Sequence, residues 1–377
     1  MSENKKQQNN DLERRELLKG LATVPVFGLF LAELWRKIRR DTLKKSNILS
    51  GLVQEKSAPA IIKGLSDSKH LNIGIIGYGG RGGHLVRGAG FATTGWTNTV
   101  AENARKDKLD KQFITFMDQE DLNCSLVGVC DLFDVRAEQG LDASQNEVRP
   151  GGKPKKTATR YRHYKDLLAN DDIDAVIIAT PDHWHSRITI DAAKAGKHVY
   201  CEKGLTRTFQ EAIDVYDVVK ETGITFQLGH QNRQVEANEK AKQIIEQGLL
   251  GKINLVELAT NRNSPGGAWV WGIHPEGNAK TIDWDTFQEP APNKIPFGEE
   301  ALKRFFRWRC WFDYGTGLSG DLLSHDFDAI NQIMDLGIPK YSSSTGGIYF
   351  YKDGRDVPDV WNATFEYPDK DLTILYS

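Results

Sequence analysis

Short apolar runs alternate with helical patterns through the middle of the chain. The run LNIGII at residues 71–76 carries no charge, which is typical of a strand that helices cover on both faces. Segments with the apolar spacing of helices, such as residues 186–196, separate the later runs. Those runs are LVGVCD at 126–131, DAVIIAT at 174–180, KHVYCEK at 197–203 and GITFQLG at 223–229. The pattern predicts an α/β fold with a doubly wound parallel sheet, the Rossmann arrangement.

The pattern changes beyond residue 240. VELATNRN is typical of a strand, and a long loop rich in Trp, Gly and Pro follows it. Strand-like alternation then returns at residues 341–351, 360–368 and 372–377. We expect an α+β part with a largely antiparallel, open sheet. The 39% of hydrophobic residues is sufficient for two cores.

The first part of the chain shares neither pattern. Arg14 and Arg15 precede an apolar stretch at residues 20–34 that is short for a membrane span. This arrangement resembles a twin-arginine export signal. We therefore expect periplasmic export or anchoring to the membrane through this segment. No A-x-A cleavage site follows and a basic cluster comes next, so an uncleaved anchor or a cytoplasmic amphipathic tail are the alternatives.

A glycine pattern follows the first apolar run. Gly77, Gly79 and Gly82 have the spacing G-x-G-x-x-G, with Arg81 inside it. The first glycine allows a tight turn, the second lets the backbone approach a pyrophosphate, and the third lets the next helix pack on the strand. The start of that helix also favours negative charge. We expect this turn to bind a dinucleotide.

Asp131 ends the next apolar run, where the ribose hydroxyls of NAD would be held. Its charge would repel a ribose phosphate, which favours NAD over NADP. The usual spacing from the glycine turn is about 20 residues, and here it is much longer. We attribute the difference to an insertion at about residues 93–122, whose charged part is expected to form a surface helix or loop.

Polar side chains follow three other predicted strands at the edge where parallel sheets bind ligands. Four are candidate cofactor contacts, and two that come later in the chain are candidate contacts to substrate hydroxyls. The cofactor candidates are Thr180, Pro181, His183 and Glu202. The substrate candidates are His230 and Arg233. Lys203, directly after Glu202, belongs to the same edge.

Composition excludes several other kinds of site. The formal net charge of −2 gives no reason to expect nucleic acid as a partner. His183 and His185 form an H-x-H pair without a third ligand nearby, which is a poor zinc site, so we expect no metal. The cysteines show no metal-ligand spacing and are expected to be buried free thiols.

A helix is expected near residue 325, since apolar residues recur there at helical spacing. Asp321 and His325 lie four apart and would share one face of it. Oxidation of an alcohol requires a bound nicotinamide, a base for the hydroxyl proton and a positive charge that favours the alkoxide. His325 is the candidate base, oriented by Asp321, and Lys203 is the candidate charge.

At this point the sequence resembles the Gfo/Idh/MocA oxidoreductases, named after glucose-fructose oxidoreductase and inositol dehydrogenase. The resemblance covers residues 71 to about 340. It rests on IGIIGYGGRG, the strand that ends at Asp131, ATPDHWH, AGKHVYCEK and the segment from Gly315 to His325. It departs from the family at Gly204, where members usually carry Pro after the lysine. The chain also stops inside an apparent strand, as a C-terminally truncated member would.

The resemblance implies an organisation and an activity. It implies an NAD-binding Rossmann domain at 69–232 after the export-signal-like tail at 1–68, and an incomplete domain for substrate and oligomerisation at 233–377. It also implies catalytic roles for Lys203, Asp321 and His325, a homo-oligomer, and a sugar, inositol or related polyol as substrate. Aromatic residues between Trp269 and Tyr314 include candidates for stacking on a sugar, although most are expected in the core or an interface.

Three functions are compatible with these residues. The first is an NAD-dependent oxidoreductase that transfers a hydride between a sugar, polyol or glycoside carbon and nicotinamide. The second is a glycosidase with tightly bound NAD, which oxidises C3, eliminates the aglycone, adds water and reduces the product again. The third is a sugar- or nucleotide-binding protein without turnover, against which Lys203, Asp321 and His325 argue.

Overall fold

The computed structural model describes residues 70–262 and 264–377. The expected twin-arginine segment and the tail at 1–68 lie outside the described residues. Within them, no helix is long and apolar enough to cross a membrane.

A parallel sheet of six strands forms the first half of the fold, in the order β3-β2-β1-β4-β5-β6. The strands are β1 (Leu71–Ile76), β2 (Cys124–Cys130), β3 (Thr159–Tyr161), β4 (Ala175–Ile178), β5 (His198–Glu202) and β6 (Phe226–Gly229). The helices are α1 (Gly80–Gly88), α2 (Thr94–Lys106), α3 (Gln112–Met117), α4 (Asp134–Gln145), α5 (Tyr164–Leu168), α6 (Asp182–Lys194) and α7 (Phe209–Thr222). The strand order reverses between β1 and β4, which is where doubly wound sheets bind ligands.

A second sheet follows, in the order β7-β10-β9-β8, with antiparallel pairs except for the parallel pair β7–β10. Its strands are β7 (Leu255–Leu258), β8 (Tyr341–Gly347), β9 (Val360–Tyr367) and β10 (Leu372–Tyr376). The helices of this half are α8 (Glu236–Glu246), α9 (Trp284–Phe287), α10 (Glu299–Phe306) and α11 (Ser324–Met334). The expected fold class, a Rossmann sheet followed by a largely antiparallel sheet, is confirmed.

The cores explain why these runs fold as they do. β2 is buried along its whole length because helices cover both faces of the parallel sheet. A separate aromatic core lies under the Trp-rich loop and contains Trp269, Trp284, Phe305, Trp311 and Tyr314. Most of the expected stacking candidates are therefore core residues, while Trp271 and Phe312 stay exposed. All four cysteines are free and buried, as expected.

The insertion forms α2 and α3, in agreement with the helix alternative of the expectation, and a short connection at 107–111 separates the two helices. The segment before α11 departs from a regular helix. A π-helical turn at Ser319–Leu323 precedes α11. A π turn holds more residues than an α turn, so it rotates Asp321 relative to the residues of α11.

Candidate active site

A cleft of about 480 Å³ lies at the carboxyl ends of the parallel strands. Its walls come from several separate segments of the chain, as expected for a doubly wound sheet. They include Gly77, Gly79, Asp131, Thr180 and Lys203.

The three glycines of the turn differ in whether the surrounding protein leaves room for a side chain. Gly77 has φ +90°, and a Cβ there would lie 2.8 Å from the Ala179 carbonyl. A Cβ on Gly82 would lie 2.1 Å from the Gly77 oxygen. A Cβ on Gly79, by contrast, would meet only Arg136, at 3.8 Å. The fold therefore accounts for Gly77 and Gly82, whereas the open space at Gly79 fits a pyrophosphate at the start of α1.

Alanine at these positions should separate folding from cofactor binding. Gly79→Ala is expected to weaken NAD binding by about tenfold or more, since a methyl would fill the pyrophosphate cradle. Its stability should change by less than about 1 kcal/mol. Gly82→Ala should instead cost about 1–3 kcal/mol of stability through overpacking. Calorimetric titration with NAD and urea unfolding of both variants measure this, and unchanged NAD affinity in Gly79→Ala would contradict it.

Asp131 lies in the cleft wall and holds the turn. Its Oδ2 accepts a hydrogen bond from Tyr78 N at 2.6 Å, and its Oδ1 accepts one from Phe133 N at 2.8 Å. Burial raises the pKa of Asp131, while Arg136 and the two amides oppose that shift. Asp131 therefore holds the loop after β1 in place. Its expected contact with the ribose stays a prediction.

The segment after β4 contributes to the site in two ways. Thr180 and Pro181 line the cleft, and the Thr180 hydroxyl is buried without a hydrogen-bond partner among the described residues. A buried hydroxyl without a partner facing a cleft fits a polar ligand. His185 joins two loops, with its ring nitrogens 2.7 Å from Thr180 O and 2.9 Å from Gly204 O.

The expected cofactor contact of His183 is wrong. Its ring lies in the aromatic core beside Tyr314, with Nε2 2.7 Å from Phe287 O. Burial lowers the pKa of His183 to about 3, so the ring is neutral and structural. The cause is its place on the first turn of α6, which directs this side chain away from the cleft and toward α9.

Lys203 lines the cleft and pairs with Asp321, which lies behind the lining. Lys203 Nζ lies 2.5 Å from Asp321 Oδ1 and donates to the Asp321 carbonyl at 2.8 Å. Both side chains are less than one-tenth exposed. Arg309 Nε also donates to Oδ1, at 2.8 Å. Burial alone would raise the pKa of Asp321, but Arg309 and Lys203 outweigh it and hold that pKa well below its usual range.

The expected pairing of Asp321 with His325 is wrong. The Asp321 carboxylate accepts hydrogen bonds from Lys203, Arg309 and Trp269. Trp269 Nε1 donates to Oδ2 at 3.1 Å. Nδ1 of His325 has no hydrogen-bond partner among the described residues. The π-helical turn explains the difference, since it removes the shared helix face on which the expectation depended.

His325 lies beside His230 instead, with ring centroids 5.8 Å apart. Burial lowers the pKa of His325, and the charge of Lys203 lowers it further. Burial is also the largest cause of the lowered pKa of His230. Both rings are therefore neutral near pH 7, which is the state in which an imidazole accepts a proton.

Two further candidates are held by ion pairs. Glu202 Oε1 accepts from Arg81 Nε at 2.8 Å, which ties α1 to the end of β5. Arg81 and Glu202 both line the cleft. Arg233 makes a bidentate pair with Asp328 on α11, at 2.8–3.0 Å. The expected substrate contact of Arg233 is therefore not what the structure shows, because this guanidinium connects two segments of the protein.

Arg309 and Trp269 are site residues that the sequence did not indicate. Arg309 lines the cleft and stacks on Trp308 at 4.1 Å. Trp269 has φ +61°, a left-handed conformation that a bulky residue rarely adopts, and it donates to Asp321. The only available signal was their place in the Trp-rich loop, which by itself also fits a core.

Arg309→Met is expected to lower stability by about 1.5–3 kcal/mol, the usual worth of a charged hydrogen bond, and also to reduce turnover. Arg304→Met is the matched control, because Arg304 is buried to the same degree, pairs with Asp313 and stacks on Trp311. It should lose similar stability with turnover intact. Urea unfolding and steady-state rates test both. Equal loss of turnover in the two variants would show that Arg309 only supports the fold.

The six-stranded sheet and the glycine turn at its cleft define a class of fold, the dinucleotide-binding Rossmann domains. Residues 71–230 match the Gfo/Idh/MocA family model, described as an oxidoreductase family with an NAD-binding Rossmann fold. Over this stretch the chain is therefore similar to the NAD-binding Rossmann domains of that family, as the resemblance implied.

Curated relatives share parts of the chain. Levoglucosan dehydrogenase of Pseudarthrobacter phenanthrenivorans is 28% identical over 200 residues, which are 49% of this chain and 41% of the relative. The 2,7-anhydro-N-acetylneuraminate hydratase of Escherichia coli is 35% identical over 125 residues, 33% of this chain and 30% of the relative. The aligned parts thus span less than half the length of these relatives.

Solved structures share the fold. The myo-inositol 2-dehydrogenase of Lactobacillus plantarum has a TM-score of 0.53 at 20% identity, over 82% of this chain and 69% of its own. The WlbA dehydrogenase of Bordetella pertussis, solved with NADH and UDP-GlcNAcA, has a TM-score of 0.52 at 18% identity, over 82% and 71%. At these identities the comparison shows the architecture of both sheets.

Proposed function

We propose that the protein is an NAD-dependent oxidoreductase that transfers a hydride between nicotinamide and a hydroxyl-bearing carbon of a sugar, polyol or glycoside. The observation that carries this proposal is Lys203, which lines the cleft, is held by the buried Asp321 and lies close enough to His325 for its charge to lower the pKa of that ring. Residues on both halves of the fold build this arrangement, so it depends on the complete tertiary structure. The dehydrogenase and hydratase names of the relatives support a carbohydrate substrate.

The residues of the cleft have distinct roles in this proposal. Gly79 and Thr180 would hold NAD, and the bound cofactor would supply the hydride acceptor. His325, neutral because burial lowers its pKa, would take the hydroxyl proton. Lys203 would stabilise the negative charge that develops on the substrate oxygen. Asp321 would fix the position of the Lys203 ammonium, which its two contacts hold at 2.5 and 2.8 Å.

A second candidate uses the same residues without net oxidation. Oxidation next to the scissile bond, elimination, addition of water and reduction would release an aglycone and regenerate NAD. The similarity to a hydratase at 35% identity favours keeping this candidate. A binding protein without turnover is less well supported, because a buried lysine–carboxylate pair beside two neutral histidines is suited to proton transfer.

One experiment separates these functions. The purified full chain is tested for bound nicotinamide, then incubated with free sugars and with aryl glycosides while reduced cofactor and released phenol are followed together. Reduced cofactor with a free sugar supports the dehydrogenase. Phenol without net reduction supports the redox-assisted glycosidase. Neither signal, from protein that binds NAD, would contradict both.

Two further proposals depend on the sequence. Residues 1–68 direct export to the periplasm or anchoring to the membrane, as the twin-arginine resemblance supports. The protein forms a homo-oligomer through its second domain, as the family resemblance supports. Fractionation of cells that express the full gene and light scattering of the purified protein test these proposals.

A further inference from the structure

A second cleft, of about 760 Å³, lies on the other side of Arg81 from the active site. We call it the insertion cleft, because the helices of the insertion, α2 and α3, supply one wall. Helix α1 and the face of β5 and β6 supply the others. Its lining includes Arg87, Lys111, Trp96 and Tyr200.

The charges of the insertion cleft have one sign. Arg81, Arg87 and Lys111 line it, and none of its lining residues, in the described part of the chain, carries a carboxylate. Arg81 is already paired with Glu202. Arg87 is half-buried and stacks on Trp96 at 5.0 Å, with no carboxylate partner among the described residues. A half-buried guanidinium without a counterion favours binding of an anion.

The neutral part of the lining is rich in amides. Gln112, Gln119, Gln227, Gln231 and Gln234 all line the cleft. Gln119 donates to Arg87 O and Gln231 accepts from Arg81, so these two are partly engaged. The side chains of the other three have no hydrogen bond to a described residue, and Gln112 and Gln227 are exposed. Amides that both donate and accept suit a ligand with many hydroxyl groups.

The insertion cleft reaches the active site. Arg81 lines both clefts. His230 lines the insertion cleft, and its ring lies 5.8 Å from that of His325. A ligand that fills the insertion cleft therefore ends beside the candidate base.

We propose that the insertion cleft binds the distal part of an acidic saccharide substrate. Arg87 and Lys111 hold its carboxylate, the glutamines hold its hydroxyls, and the reacting sugar lies beyond His230 at the active site. This inference rests on the proposed function and adds the substrate class, a saccharide that carries uronic acid units.

Calorimetric titration of the full chain with NAD present tests this directly. The probes are trigalacturonate, the same trisaccharide with its carboxyls reduced to alcohols, and inorganic sulfate. We expect trigalacturonate to bind about tenfold or more tightly than the reduced form, the effect of one charged hydrogen bond. Equal binding of the two saccharides, or sulfate binding as tightly as trigalacturonate, would overturn the proposal.

Variants test whether the acidic probe binds in the insertion cleft. Arg87→Gln combined with Lys111→Gln should abolish the preference for the acidic probe. Arg105→Gln combined with Lys108→Gln removes the same charge from exposed positions of the insertion outside the lining, and should leave it unchanged. Since Arg87 also stacks on Trp96, Lys111→Gln alone, at an exposed side chain, gives a result that does not depend on folding. Wild-type preference in Lys111→Gln and in the double variant would contradict the assignment.

These titrations measure binding and not turnover, so they test the binding site separately from the proposed function. A protein that fails to oxidise any sugar but prefers the acidic probe disproves the proposed function and keeps the binding site. An active dehydrogenase without that preference disproves only the substrate class.

Discussion

Replacing Lys203 with Met is expected to lower turnover by about 10²–10³-fold, the range for loss of a group that stabilises developing negative charge. The variant should fold, because Asp321 keeps its hydrogen bonds from Arg309 and Trp269. NAD binding should persist, since the glycine turn and Thr180 are untouched. Steady-state rates and calorimetric titration with NAD measure both effects.

The same variant should move the pH profile. Burial is the largest cause of the lowered pKa of His325, and the charge of Lys203 is the next. Removing that charge should raise the pKa of His325, so the acid limb of the residual kcat/KM should move to higher pH. A limb at the wild-type position would show that Lys203 does not act on this histidine.

Lys197→Met provides the matched control for Lys203. Lys197 directly precedes β5 as Lys203 directly follows it, and it is also buried, with Nζ donating to Asn170 O at 2.9 Å. The two substitutions therefore remove similar side chains from opposite ends of one strand. Lys197→Met should lower stability and leave turnover per folded molecule unchanged. Equal losses of turnover in Lys197→Met and Lys203→Met would contradict the role proposed for Lys203.

His325→Gln is expected to lower turnover by about 10²–10⁴-fold, since it removes the proposed proton acceptor. In the wild type, the pKa of His325 lies below its usual 6.5. The neutral form is required, so kcat/KM should fall only as pH drops below about 6.5. His325→Gln should lack that limb. Profiles of kcat/KM against pH for both proteins check the expectation.

The control for His325 is His274→Gln. His274 is partly buried outside the cleft and packs on Phe133. Its replacement should leave the rate and the acid limb unchanged. If His325→Gln retained the wild-type limb, another group would be the base, and His230, whose ring is 5.8 Å away, would be tested next.

Five of the six strands of the parallel sheet followed from local patterns, and β3, an edge strand of three residues, did not. A strand that is buried on both faces must be apolar throughout, which is why the run at 71–76 and the run before Asp131 could be assigned from composition alone. Gly77 and Gly82 were identifiable because backbone atoms leave no room for a Cβ at either position. Lys203 was identifiable because the end of a parallel strand is where ligands bind.

The partners of those residues could not be assigned in this way. Asp321 lies 118 residues from Lys203 along the chain, and the two meet only because the π-helical turn before α11 packs against the end of β5. The expectation of an Asp321–His325 pair assumed a regular helix, and the π-helical turn removed its basis. His183 was assigned to the cleft by its place after a strand, although its ring turns into the aromatic core.

The sequence by itself determined five of the six parallel strands, the glycine turn after β1 and the place of Lys203 at the end of β5, since each depends on neighbours within a few residues. The tertiary structure alone decided which charges meet. It joined Asp321 to Lys203, Arg309 and Trp269, and it brought His230 to His325. The physical reason is that buried charges are stable only with specific partners, and distant segments supply those partners when the chain packs.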